Sequence, residues 1–248
     1  DTQTMPTIDG STHIFPLFSA NQPIAMLYLH LRKVDELSTE DYEIYKALAG
    51  QMSTVLENQR LLQQTSLALD ETRRLYTASR AITGAQDSAE VYAAATTYLA
   101  QPMPELSRIE ILLAGPVPEP HAPYYDMVHV WSLTGSHDRV HIGARLTADE
   151  IPVGKLLSNN GESVYYHDLQ DDTSTNDRLP VTLSAWGSQS AVVVPLRTQR
   201  NWLGVLIAES DQPDAFNEQY IRYAQAVVDQ IAVAVENRLL FEEARSEA

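Results

Sequence analysis

The chain of 248 residues is 44% hydrophobic and 20% charged, an ordinary globular balance, and is long for one compact domain but short for two full ones. Its 17 basic and 33 acidic side chains give a net charge of −16, which repels nucleic-acid phosphates and anionic lipid. There is no cysteine, so disulfides, thiolate catalysis, Cys-ligated zinc and a thioether-linked chromophore are excluded.

The first ten residues, "DTQTMPTIDG", are polar and acidic, unlike a signal peptide. Their initial Asp in place of Met is expected of a piece of a longer protein. The apolar run 14–18 ("IFPLF"), the turn "SANQ" and the run 23–31 ("PIAMLYLHL") predict a β-hairpin. A helix follows from about Thr39 to Ile82, opened by a capping box of Ser38 and Asp41, with Leu37 placed to staple onto Tyr42. Leu48, Val55, Leu62, Leu69 and Tyr76 recur at intervals of seven along it, beside a column of Leu61, Ala68, Leu75 and Ile82. Such spacing predicts a dimerising helix, loosely packed because the remaining core column holds Gln59, Ser66 and Arg73. The other reading is a long amphipathic helix lying on its own domain.

Beyond it the pattern predicts a helix over 88–101 and strands over 108–115, 127–134 and 139–147. A short helix from about Ala148, a strand over 163–168 and a polar loop come next. A second hairpin and a final helix, capped by Asn217 with Phe216 stapled onto Ile221, close the chain. The densest apolar stretch, "AVVDQIAVAV", is interrupted by Asp229 and Gln230, so no segment is expected to cross a membrane. The alternation predicts an α+β fold, an antiparallel sheet covered by helices, while the acidic charge and the lack of cysteine, signal peptide and spanning segment point to a cytoplasmic protein.

The two hairpin-and-helix segments are one phrase used twice. A shift of 179 residues places "IFPLF" on "VVPLR", Pro23–Leu31 on Trp202–Ser210, Asp35 on Asp214, and Glu57-Asn58 on Glu236-Asn237. Only the second copy has enough sequence upstream to complete a domain. A lone hairpin is marginal in water, so residues 1–38 are expected to be the tail of a preceding domain, packed on a partner surface.

The stretch "GESVYYHDLQDD", followed by "GSQSAVVVPLRTQRNWLGVLIAESDQPDAFNE" and "VVDQIAVAVENRLLFEEA", resembles the C-terminal half of the GAF domain family. The resemblance covers about residues 75–244, and again 13–64 as the back half of a second copy. It implies a tandem sensor module built on a central six-stranded antiparallel sheet with a small-molecule pocket. The implied division is 1–38 as a hairpin remnant, 39–83 as a connecting signalling helix and 84–248 as a complete domain with an exit helix. It further implies a homodimer through those helices, feeding a downstream output domain of histidine-kinase or nucleotide-cyclase type. The cyclic-nucleotide branch of the family carries Asn-Lys, Phe and Asp-Glu where this chain has Glu209-Ser210, Phe216 and Tyr220-Ile221. Only the Phe matches, so cyclic GMP is not the expected ligand. A dimerising spacer that binds nothing is the alternative, and the ligand or cofactor is left unknown.

The residues themselves offer one polar and aromatic set for a ligand: His129, Trp131, His141, Arg145, Tyr165, His167 and Trp186. Period-two alternation puts His129 and Trp131 on one strand face and His141 and Arg145 on another, and Arg145 suits a carboxylate or phosphate. The competing reading makes these half-buried sheet residues with their polar tips in water. His121, His129, His137, His141 and His167 lack metal-site spacing, and the Asp-rich loop 167–180 lacks the calcium-loop pattern. No phosphate-cradling loop, nucleophile elbow or reactive cysteine is present. A methionine sulfoxide reductase of this fold needs a redox cysteine, so no enzyme, no metal and no nucleic-acid or membrane partner are expected.

Overall fold

The computed structural model describes residues 3–7, 10–19, 22–31, 37–115, 122–134, 141–151, 153, 162–169 and 187–246. The chain divides into two units, Asp1–Asp70 and Glu71–Ala248.

The first unit is an antiparallel meander of β1 (Gln3–Thr7), β2 (Gly10–Ser19) and β3 (Gln22–Leu31), followed by the start of α1 (Thr39–Gly84). The Ser38 hydroxyl accepts from the Asp41 amide at 3.1 Å and donates to its carboxylate at 2.6 Å, so the capping box forms as the sequence predicts. Phe15, Leu17 and Ala49 are the buried centre, with Leu27, Leu29, Leu37, Tyr42 and Leu56 packed around them. Strand β1 was not foreseen, because "QTMPT" is polar and contains a proline; its pairing with β2 supplies what its side chains do not signal.

In the second unit a six-stranded sheet has the order β6 (Arg145–Thr147), β5 (Tyr124–Ser132), β4 (Leu106–Ala114), β9 (Trp202–Ser210), β8 (Ser190–Arg197), β7 (Val164–Tyr166). All described pairings are antiparallel, as expected. Helices α2 (Ser88–Ala100) and α3 (Glu218–Ser246) cover one face together with Ala78 and Ile82 from the end of α1. Asp87 caps α2 through the Glu90 amide at 2.8 Å, and Asn217 caps α3 through the Tyr220 amide at 2.8 Å. A second core lies on the opposite face, made by Leu112, Tyr125, Met127, Val130, Ile151, Tyr166, Val193, Val205 and Ile207. The strand expected over 139–147 is cut to Arg145–Thr147: Gly143 turns the chain with φ of 89° just ahead of it. Most of the short helix expected from Ala148 lies outside the described residues.

The repeated phrase has repeated geometry. In β2–β3, Ile14 faces Tyr28, Phe15 faces Leu27, Pro16 faces Met26 and Leu17 faces Ala25, with an irregularity after Leu17. In β8–β9, Val193 faces Ile207, Val194 faces Leu206, Pro195 faces Val205 and Leu196 faces Gly204, with an irregularity after Leu196. Every pair and the bulge transfer by the same 179-residue step that separates Thr39, where α1 starts, from Glu218, where α3 starts. Strand β1 even takes the place of β7, since Gln3 faces Ile14 as Val164 faces Val193. The recurrent Glu-Asn has a structural use in the second unit. Thr198 Oγ1 and Asn201 Nδ2 donate to Glu236 Oε1 at 2.9 and 2.7 Å, tying the β8–β9 turn to α3.

Buried tyrosines fasten α3. The hydroxyl of Tyr220 donates to the Leu99 carbonyl at 3.2 Å and that of Tyr223 to the Tyr98 carbonyl at 3.1 Å. Burial raises the pKa of both, and pushes that of Tyr125, beside Trp202, up to about 12. These neutral phenols stabilise the fold fully below the ordinary tyrosine pKa of about 10. That contribution is expected to fade as pH climbs from about 10 towards 12, where only the unfolded chain ionises freely. Urea melts across that range, read beside tyrosinate absorbance, check it: a flat stability profile above pH 10 contradicts the burial.

Candidate functional site

The sequence-selected residues are distributed over several places. His129 and Trp131 do share a face of β5, but it is the helix-covered one. His129 Nε2 lies 3.2 Å from Thr96 Oγ1, with its ring beside Tyr92 of α2, and Trp131 is half-buried against the same core. Arg145 stands exposed on the edge strand β6, paired with Asp126 at 2.8 and 3.0 Å and stacked over the Tyr124 ring at 3.8 Å. His141 is exposed in the turn ahead of it. Tyr165 and His167 do come together, with ring centroids 3.9 Å apart at the foot of α3. There the Phe216 amide donates to Tyr165 Oη at 3.2 Å, and His167 Nδ1 sits 2.9 Å from Asp214, a residue with φ of 51°. Trp186, His121 and His137 lie outside the described residues, as does most of the 167–180 loop. Among the described residues, no group of three or more His, Asp or Glu is placed to hold a metal.

A different set of charges occupies the face away from the helices. Ile109 and Ile111 of β4 point into the helix-side core, so Arg108 and Glu110 between them point to the other side. Arg108 is 6% exposed and Glu110 is fully buried; Arg108 Nε donates to Glu110 Oε1 at 2.6 Å. Across the ladder, Glu209 of β9 stands opposite Arg108, also fully buried, and accepts a hydrogen bond from Ser188 Oγ. Arg108 Nη2 has no hydrogen-bond partner among the described residues. Taking these three ionisable groups out of water costs several kcal/mol each, which their mutual attraction offsets only with good geometry. A guanidinium held inside a core with a donor to spare is a feature of binding sites more than of packing. Sequence reasoning missed it because "SRIEILL" alternates like a strand with one wet face. The usable signal was the matching Glu209 in the partner strand "LIAES", a charge that closes an apolar run.

A family model of the GAF domain matches residues 67–236, more than half of the sequence. The chain belongs to the GAF domain family. GAF domains are sensory modules that bind small molecules, and this chain, with its six-stranded antiparallel sheet and covering helices, has their fold. Among solved structures, the GAF domain of a phosphoenolpyruvate-protein phosphotransferase from Coxiella burnetii is 14% identical, with a TM-score of 0.57, over 71% of this chain and 98% of that one. The phycoerythrobilin-bound GAF domain of a cyanobacterial phytochrome is 19% identical, with a TM-score of 0.55, over 69% and 97%. The chromophore-binding domain of the bacteriophytochrome RpBphP3 from R. palustris is 11% identical, with a TM-score of 0.57, over 99% and 75%. No curated protein matches the sequence. At such identities these likenesses establish the fold of the GAF unit. No helix among the described residues is long and apolar enough to cross a membrane.

Proposed function

We propose that the chain is a non-catalytic sensory unit of a cytoplasmic signalling protein, holding a small molecule on the sheet face that carries Arg108, Glu110 and Glu209. The observation that carries this reading is the buried Arg108 guanidinium, whose Nη2 is without a partner among the described residues. A ligand suited to it presents a hydrogen-bond acceptor, because Arg108 is already half neutralised by Glu110. The seven residues selected from sequence, His129, Trp131, His141, Arg145, Tyr165, His167 and Trp186, stand as a second candidate set.

The output runs through helices. Leu48, Val55, Leu62, Leu69 and Tyr76 of α1 remain exposed in the seven-residue column that a parallel homodimer covers, and Val233 and Leu240 of α3 are exposed as well. Ligand-dependent repacking of the sheet against α2 and α3 shifts this interface for a downstream output domain, of histidine-kinase or nucleotide-cyclase type. The hairpin β2–β3 is the rear part of a second unit of the same kind. One observation favours the spacer reading instead: Tyr125, Met127 and Ile207 on the proposed ligand face are all fully buried, a densely filled core.

Native mass spectrometry of the protein purified from its own host separates the two. The sensory reading expects a dimer that carries a small molecule, with the molecule lost and the dimer kept in Arg108→Met. A ligand-free dimer in both proteins establishes the spacer. A monomer overturns the relay through the helices.

A further inference from the structure

Both edges of the hairpin β8–β9 are paired, by β7 on one side and β4 on the other. In the first unit β1 fills the β7 place, but among the described residues β3 pairs with β2 alone. Strand β3, "QPIAMLYLHL", offers ten residues of open edge without a Lys, Arg, Asp or Glu. Folded proteins usually blunt such edges with charges, bulges or cover, and Pro23 guards only the start of this one. The face of β3 turned away from its core is open too. Met26 and Tyr28 are 53% and 61% exposed, where Val205 and Ile207, their counterparts in β9, are fully buried.

We propose that β3 accepts an antiparallel strand supplied by polypeptide upstream of β1, the front part of a GAF unit whose rear part is β1–β3 with the start of α1. This rests on the reading of the front hairpin as part of a second unit. The register follows from β4, whose Leu112, Ile111, Glu110 and Ile109 face Val205, Leu206, Ile207 and Ala208. The incoming strand therefore stands opposite Met26, Leu27, Tyr28 and Leu29. Its residues facing Leu27 and Leu29 enter the core of Phe15 and Leu17 and are apolar, as Ile111 and Ile109 are. It leaves β3 before Ala25. The equivalent position is Gly204, where an added Cβ would lie 1.9 Å from the Leu112 carbonyl oxygen. A second copy of β3 would satisfy the edge but leave Met26 and Tyr28 bare. In the second unit Val205 and Ile207 share a core with Tyr125, Met127, Ile151 and Val153, all of which follow β4 in the chain.

The test is hydrogen exchange of the β3 amides in the chain of residues 1–248 and in the complete natural polypeptide, with β9 as the internal reference. The expected result is β3 exchange at least about a hundredfold faster than β9 in the shorter chain, falling to the β9 range in the complete one. Equal rates in the two proteins overturn the proposal, and so does protection in the shorter chain that grows with concentration, the mark of a second copy. The underlying register is tested separately in this cysteine-free chain by the pairs Ile14→Cys/Tyr28→Cys and His13→Cys/Leu29→Cys. One of these adjacent pairs, on facing strands, comes within disulfide reach. A disulfide with unprotected β3 leaves the repeat standing and removes the docking strand. Closure of neither pair removes the repeat itself.

Discussion

Substituting Arg108 by alanine is expected to destabilise the second unit by about 3–5 kcal/mol, the cost of stripping one partner from a buried ion pair. The Glu110 carboxylate, fully buried, would lose the guanidinium now 2.6 Å away, and Glu209 would lose the cation that stands opposite it in the ladder. Solvent screening offers little relief at a site 6% exposed. The informative comparison is the double variant Arg108→Met/Glu110→Leu, which removes both charges while keeping the volume. Exchange of a buried pair for apolar groups is often neutral or stabilising. Urea unfolding of the single and double variants therefore distinguishes a pair kept for stability from one kept for binding. If Arg108→Ala unfolds within about 1 kcal/mol of the parent, the guanidinium is not locked in the core and the proposed ligand face loses its basis.

The elements that announced themselves in the sequence were those whose local chemistry and packing agree. Ser38 and Asn217 cap where the pattern placed them, and the seven-residue column of α1 runs through one continuous helix. The repeat was legible because both hairpins bury the same alternate positions, Phe15 and Leu17 in one and Val194 and Leu196 in the other. What escaped depends on partners distant in sequence. Strand β1 has no apolar alternation and exists through its ladder with β2. The charges of β4 look solvent-facing until the residues that close that face, Ile151 and Val153 among them, are in place, since whether a strand has one wet face is decided by the covering layer. His129 looked like a ligand-pocket residue for the converse reason. Period-two alternation fixes that it shares a face with Trp131, but only α2, with Thr96 and Tyr92, determines that the face is the helix side.

Gly204→Ala is expected to cost upwards of about 3 kcal/mol, with a steep fall in soluble yield. The added Cβ would stand 1.9 Å from the Leu112 carbonyl oxygen and 2.9 Å from the Leu112 carbonyl carbon and Leu113 Cα. All three are backbone atoms, so no rotamer change relieves the overlap. Strand β4 would have to move off β9, at the middle of a sheet whose residues on both faces are buried. At about 2–4 °C per kcal/mol for a unit of this size, the melting temperature drops by roughly 6–12 °C or more. A shift of only a few degrees would show that β4 and β9 do not approach so closely. The reciprocal change, Ala25→Gly in the first unit, meets no such contact and is expected to cost no more than about 1 kcal/mol of backbone freedom. That asymmetry between equivalent residues marks where the two hairpins differ: β9 carries a strand pressed against position 204, while the edge at position 25 leaves room for a side chain.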